Sequence, residues 1–206
     1  MLRSASCCLL TISAALLSGG YCSAQMEPAP SPAVSDAAKP VLAGATRFQN
    51  NLMALAKAIP ADKYTFAPTS DLFKAASPAQ FATVRTVAQQ LTHVAAFTFS
   101  VLAPFGVKPD AGIDPKSFDS LTSKDDILKA LQASFDYENK VIATMTPENA
   151  FTPTGPRNTN LVAAIITILN DDGDHYGQLV EYGRMNGIIP PSTERQMQNQ
   201  PAPAQK

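Results

Sequence analysis

His175 follows Asp171 by four residues in the segment Asn170-Asp171-Asp172-Gly173-Asp174-His175-Tyr176-Gly177-Gln178-Leu179, and side chains four apart share one face of a helix. The chain has 2 histidines, and the other, His93, lies in a separate helical stretch far upstream. Two helices packed face to face would bring His93, Asp171 and His175 to one point. Two imidazoles and one carboxylate make a three-ligand metal site that keeps a position open for water or substrate. This donor set accepts Zn, Ni, Fe or Mn as the divalent ion, with geometry deciding among them. Such an ion lowers the pKa of a water it holds toward ~7 and can polarise a carbonyl.

Each residue also has an ordinary role to weigh. A lone helical histidine is more often a core or surface group than a ligand, and an aspartate is usually solvated. On the helical wheel, however, Asp171 and His175 fall beside Ala164, Ile168, Leu179 and Tyr182, where an unpaired buried carboxylate is costly and a cation relieves it. Asp172 lies still nearer the centre of that apolar arc and is the alternative carboxylate; the four-residue spacing to His175 favours Asp171. Asp174 points to solvent. His93 falls off the stripe of Val84, Val87, Leu91 and Ala95, yet Val94 to Phe105 is apolar nearly all round and Phe97 follows one turn later, which places His93 at the border of the core. Tyr176, Gln178 and Arg184 are either packing and surface groups or supports for the site. No glycine-rich phosphate loop or serine elbow is present, and no catalytic residue beyond the ligands is identified.

The elements that must position these residues are four helices, and the fold class is all-α. The first runs from about Val41 to Ala58, with Leu42, Ala45, Phe48, Leu52, Leu55 and Ala56 at helical steps, and ends before Pro60. The second begins at the capping-box signature Ser77-Pro78-Ala79-Gln80 and runs to about Leu102. Ser123 opens the third, whose face carries Ile127, Leu128, Leu131, Phe135, Val141, Ile142 and Met145. The fourth starts near Asn158 or Thr159 and stops around Asn186-Gly187. Four such helices can bury a full core as a bundle, and inward side chains from facing helices can converge on a metal. The connection from Ala103 to Thr122 is long and rich in Pro, Gly and Asp, so the second and third helices need not form a tight hairpin.

Around this core the sequence predicts four regions: a signal peptide over 1–24, a flexible Pro/Ala-rich leader over 25–40, the bundle over 41–190 and a disordered tail over 191–206. Met1-Leu2-Arg3, the apolar run from Cys7 to Leu17 and the small residues before Gln25 have the layout of a secretory signal. Its apolar run is too short for a bilayer span of roughly 20 residues, so no membrane attachment is expected after cleavage. Tyr21 directly before Cys22 makes a poor lipidation signal. All 3 cysteines precede the expected cut, leaving an exported chain, periplasmic or extracellular, without thiol chemistry. With 16 Lys+Arg against 17 Asp+Glu and no basic cluster, nucleic acid is an unsuitable partner.

Four stretches give the chain a family likeness: Ile59-Pro60-Ala61-Asp62-Lys63-Tyr64-Thr65-Phe66-Ala67-Pro68-Thr69, Val84 to Ala95 around His93, Asp174-His175-Tyr176-Gly177-Gln178-Leu179, and Tyr182 to Pro191. In these the chain resembles the DinB-like (DinB/YfiT) superfamily of four-helix bundles, most closely its secreted bacterial branch. The resemblance implies an up-down-down-up topology, frequent homodimerisation and a divalent metal held by one histidine of helix two and a His-x-x-x-His pair of helix four. His93 and His175 match two of those ligands, and Asp171 stands where the pair has its first histidine. A carboxylate there either keeps coordination with a changed metal preference or marks a member without the metal. The implied activity is a metal-dependent enzyme on a small-molecule substrate, of hydrolase or S-transferase type. Export disfavours reliance on a cytosolic thiol and tilts the expectation toward hydrolysis. The alternative is a non-catalytic binding or stress-associated bundle that has lost the metal site.

Overall fold

The computed structural model describes residues 33–199, and among these the chain is helical with no strand. The expected signal peptide lies outside the described residues, as do 25–32 of the leader and 200–206 of the tail. Four long helices, α1 (Ala38–Ala58), α2 (Val87–Leu102), α3 (Lys124–Ala143) and α4 (Leu161–Met185), are followed by a short α5 (Pro191–Gln198). None of them is long and apolar enough to cross a membrane.

Three helix starts differ from the expectation, each for a local reason. α1 begins three residues earlier, inside the predicted leader, because Pro40 sits in the first turn, where the N–H it lacks would have had no helical partner. The Ser77/Gln80 capping box forms, but it closes only a 3-10 turn over Pro78–Phe81. The helix itself starts behind a second box, Thr86/Gln89, with Gln89 N donating to Thr86 Oγ1 at 3.2 Å and Thr86 N to Gln89 Oε1 at 2.9 Å. Two more first-turn donors are met from outside: Val87 N reaches Phe66 O at 3.0 Å and Ala88 N reaches Tyr64 O at 2.9 Å. The segment after α1 thus caps α2, while Phe66 meets Tyr182 of α4 edge-on at 5.7 Å. Finally, the first part of the expected disordered tail is helical, as α5 over Pro191–Gln198. Pro191 takes the first position of α5, which suits its fixed φ, and α5 is tied down by Arg195 to Asn51 at 2.7 Å and by Ser192 to Tyr176 at 2.7 Å.

The other caps follow the sequence closely. Ser123 Oγ accepts from Asp126 N at 3.2 Å, and Asn160 Oδ1 accepts from Ala163 N at 2.8 Å. The chain turns out of α4 at Gly187, whose φ of 74° lies in the left-handed region that favours glycine. Ser123→Ala is expected to cost about 1 kcal/mol of stability, read as a lower urea midpoint with an unchanged slope.

α1 and α2 each pack against both α3 and α4. Lys124 at the start of α3 donates to the carbonyls of Lys57 and Ile59 at 2.7 Å each, placing a cation where the end of α1 leaves carbonyls unpaired. The core divides into two apolar halves. One holds Phe99, Leu102, Tyr137, Ile142, Met145, Ile165 and Ile168; the other holds Leu52, Leu55, Leu91, Leu131, Phe135, Leu179 and Tyr182. Between the halves, on all four long helices, come buried polar residues: Gln49 of α1, Gln90 of α2, Glu138 of α3, and Asp172 and His175 of α4. A polar layer inside an apolar core is where a site has to be sought, since burial without partners is costly.

Candidate metal centre

α2 and α4 supply the site. Because α2 packs against both α3 and α4, its buried arc is wide and takes in Gln90, Leu91, Val94 and Ala95 together. His93 then lies on the α4-facing side instead of in open solvent, stacked on Phe97 at 5.7 Å and meeting the His175 ring at 4.9 Å and 61°. On α4, one helical turn aligns Asp171 with His175. Asp171 Oδ1 lies 3.7 Å from His93 Nε2 and 3.6 Å from His175 Nε2. The three residues each offer a ligand atom within 4.8 Å of the others. Donors around a tetrahedral ion with bonds of about 2.0–2.1 Å lie roughly 3.3–3.4 Å apart, so the two spacings to Asp171 need only small closure to hold one.

The side chains are presented for ligation. Buried His175 has its Nδ1 against Gln90 Oε1; with that nitrogen donating, Nε2 keeps its lone pair and faces Asp171 and His93. An outer hydrogen bond of this kind fixes tautomer and ring orientation. Gln90 is itself held, its Nε2 donating to Gln178 Oε1 at 2.7 Å, and Gln178 Nε2 donating to Asp174 Oδ2 at 2.8 Å. Burial, foremost, lowers the His175 pKa, with the neighbouring His93 and Arg85 acting the same way and Asp171 opposing. A depressed pKa keeps the ring neutral and able to ligate. Asp171 Oδ2 is buried with no hydrogen-bond partner among the described residues. An orphaned carboxylate oxygen beside two imidazoles fits a cation. Side-chain exposure falls from 31% at His93 to 20% at Asp171 and 5% at His175, so the centre opens on the His93 side.

The other residues considered from the sequence divide clearly. Asp172 is buried in the core, 2% exposed, with neither oxygen hydrogen-bonded among the described residues; Asp171 is the carboxylate of the group. Asp174 is exposed but anchors Gln178. Gln178 acts on the site through Gln90. Tyr176 binds Ser192 instead, and Arg184 pairs with Glu181 at 2.6 Å. Sequence reasoning passed over Gln90 and Glu138. Gln90 precedes His93 by three residues on the same helix, the spacing of side chains on one face.

Behind Asp172 lies Glu138, 0% exposed, whose Oε2 accepts from Gln49 Nε2 at 2.7 Å while Oε1 has no partner among the described residues. Burial pushes the Asp172 carboxyl up to about 8, with Glu138 and then Asp171 adding to it. Glu138 is pushed up to about 7, again by burial, against a smaller opposing pull from Gln49.

No curated protein and no solved structure matches the chain. Residues 45–179, which include His93, Asp171 and His175, match the family model described as the DinB superfamily. That superfamily is metal-binding in general, as the grouping of His93, Asp171 and His175 would require, and the chain belongs to it.

Proposed function

We propose that this protein is an exported, divalent-metal-dependent enzyme acting on a small molecule, of hydrolase type ahead of transferase type, built as an up-down-down-up four-helix bundle. The observation that carries the reading is the convergence of His93 Nε2, His175 Nε2 and Asp171 Oδ1 within one ion's reach. The topology is supported by contacts between helix ends: Lys124 at the start of α3 meets the end of α1, and Gln90 near the start of α2 meets Gln178 near the end of α4. A bound ion of this class supplies Lewis acidity, polarising a carbonyl or acidifying water. The chain's own residues hold it in place: Gln90 fixes the His175 ring, Asp171 contributes negative charge, and Phe97 backs His93. Export is supported by the layout of residues 1–24. Homodimerisation, which the family likeness implies, is checked by light scattering.

Metal analysis tests the proposal. Protein purified from its own compartment is expected to carry about one metal per chain, and chelated protein to gain thermal stability on adding Zn, Mn, Fe or Ni. Metal-free protein with no shift across that panel would instead support a non-catalytic relative. Asp171 in place of a histidine motivates that second reading.

A further inference from the structure

From the groove beside His93 we infer that the substrate of this centre is a small anionic molecule whose carboxylate-like group is held by Arg85. The inference rests on the proposed centre for the reacting end and adds the recognition of the other end. The groove has a volume of about 470 Å³ and is lined by Arg85, Gln89, Thr92, His93 and Asp119 with the Ala82–Val84 backbone turn. It is large enough for a small molecule. The clefts between α1 and α5, at Phe97 and Arg157, and at Phe99 and Tyr137 include none of His93, Asp171 and His175. Exposure within the group is greatest at His93, so the centre and the groove share one mouth.

Arg85 is the cation of that groove. Among the described residues it forms no ion pair, and it shares the groove's lining with His93. Its backbone is held one residue before Thr86, the cap of α2. A guanidinium offers a fork of N–H donors that matches a carboxylate or phosphate oxygen pair. Gln89 and Thr92 add neutral polar groups for the body of the ligand. Asp119 carries the opposite charge on the same lining, which directs an anionic group to the Arg85 side and disfavours a second one. A single negative charge on a polar body is therefore the favoured class.

The test uses the full chain, isotope-labelled, titrated by NMR with N-acetylglycine and with its uncharged counterpart N-acetylglycinamide, in chelated and in zinc-loaded protein. N-acetylglycine is expected to shift the amides of Arg85, Thr92 and His93, and the amide to shift them far less. Arg85→Ala should weaken binding of the acid about tenfold or more, Arg85→Lys should retain part of it, and Arg47→Ala, in the α1–α5 cleft, should change nothing. Equal binding of acid and amide, no binding of either, or acid binding unaltered in Arg85→Ala overturns the assignment. Acid binding that needs zinc and survives Arg85→Ala would show ligation to the ion alone, which also overturns it. If zinc fails to bind while the chelated protein still binds the acid through Arg85, the metal reading falls and the anion site stands.

Discussion

His175→Ala is expected to abolish metal binding, with the zinc-induced rise in melting temperature lost and the affinity lowered by at least about a hundredfold, beyond the 10–100-fold typical of losing an outer-shell partner. His175 is the most buried of the three donors and the one whose orientation is externally fixed. The two donors left, His93 and Asp171, stand on different helices and are more exposed, so an ion between them would keep most of its water. Gln90→Leu separates orientation from ligation. It leaves all three donors in place, removes the bond at His175 Nδ1 and strands Gln178, and should lower affinity by about 10–100-fold. Asp171→His would supply the histidine pair implied by the family likeness and is expected to retain binding with a shifted metal preference. Circular dichroism of each chelated variant checks that the helices persist. Zinc affinity unaltered in His175→Ala would remove the centre altogether.

The helices were legible because their signals are local. Ser123 and the stripe from Ile127 to Met145 define α3 without reference to anything else in the fold, and the four-residue spacing singles out Asp171 beside His175. What could not be read was which neighbour each helix would meet. The capping box at Ser77 is sound chemistry, yet Thr86/Gln89 offers a second one, and the carbonyls of Tyr64 and Phe66 complete that second start. Their arrival depends on how α1 returns toward α2, a tertiary fact. The position of His93 turned on the same uncertainty: one apolar stripe would have left it in solvent, whereas a helix packed on two neighbours buries a wider arc. Glu138 carried a signal that went unread. It lies three residues from both Phe135 and Val141, inside the face assigned to the core, and a charged residue there demands an explanation.

That residue makes the chelated protein lose stability as pH rises, and Glu138→Gln should remove much of the loss. The folded-state pKa of Glu138, about 7, lies above its ordinary value of 4.5. Between those two values the folded chain holds a proton that the unfolded chain has released. Stability is therefore full below about 4.5 and falls as pH climbs toward 7, with a slope of at most about 1.4 kcal/mol per pH unit for one group. Asp172 has the same sign and extends the window to about 8. The groups facing Glu138 are Gln49, which donates to it, and Asp172, whose charge opposes its own, so the two carboxyls titrate as a pair. Glutamine keeps an oxygen for Gln49 and adds no charge. Roughly 2–3 kcal/mol should be recovered at pH 8, which for a domain of this size is about 5–10 °C in melting temperature. Melting curves from pH 4.5 to 8.5 in chelator would compare wild type, Glu138→Gln and the double variant with Asp172→Asn. The double variant should lose the fall toward pH 8 and keep the rise at acid pH that the lowered pKa of His175 contributes. A Glu138→Gln profile that merely parallels the wild type would show that Glu138 is already ionised in the folded chain and that the cost of its burial is met by other contacts.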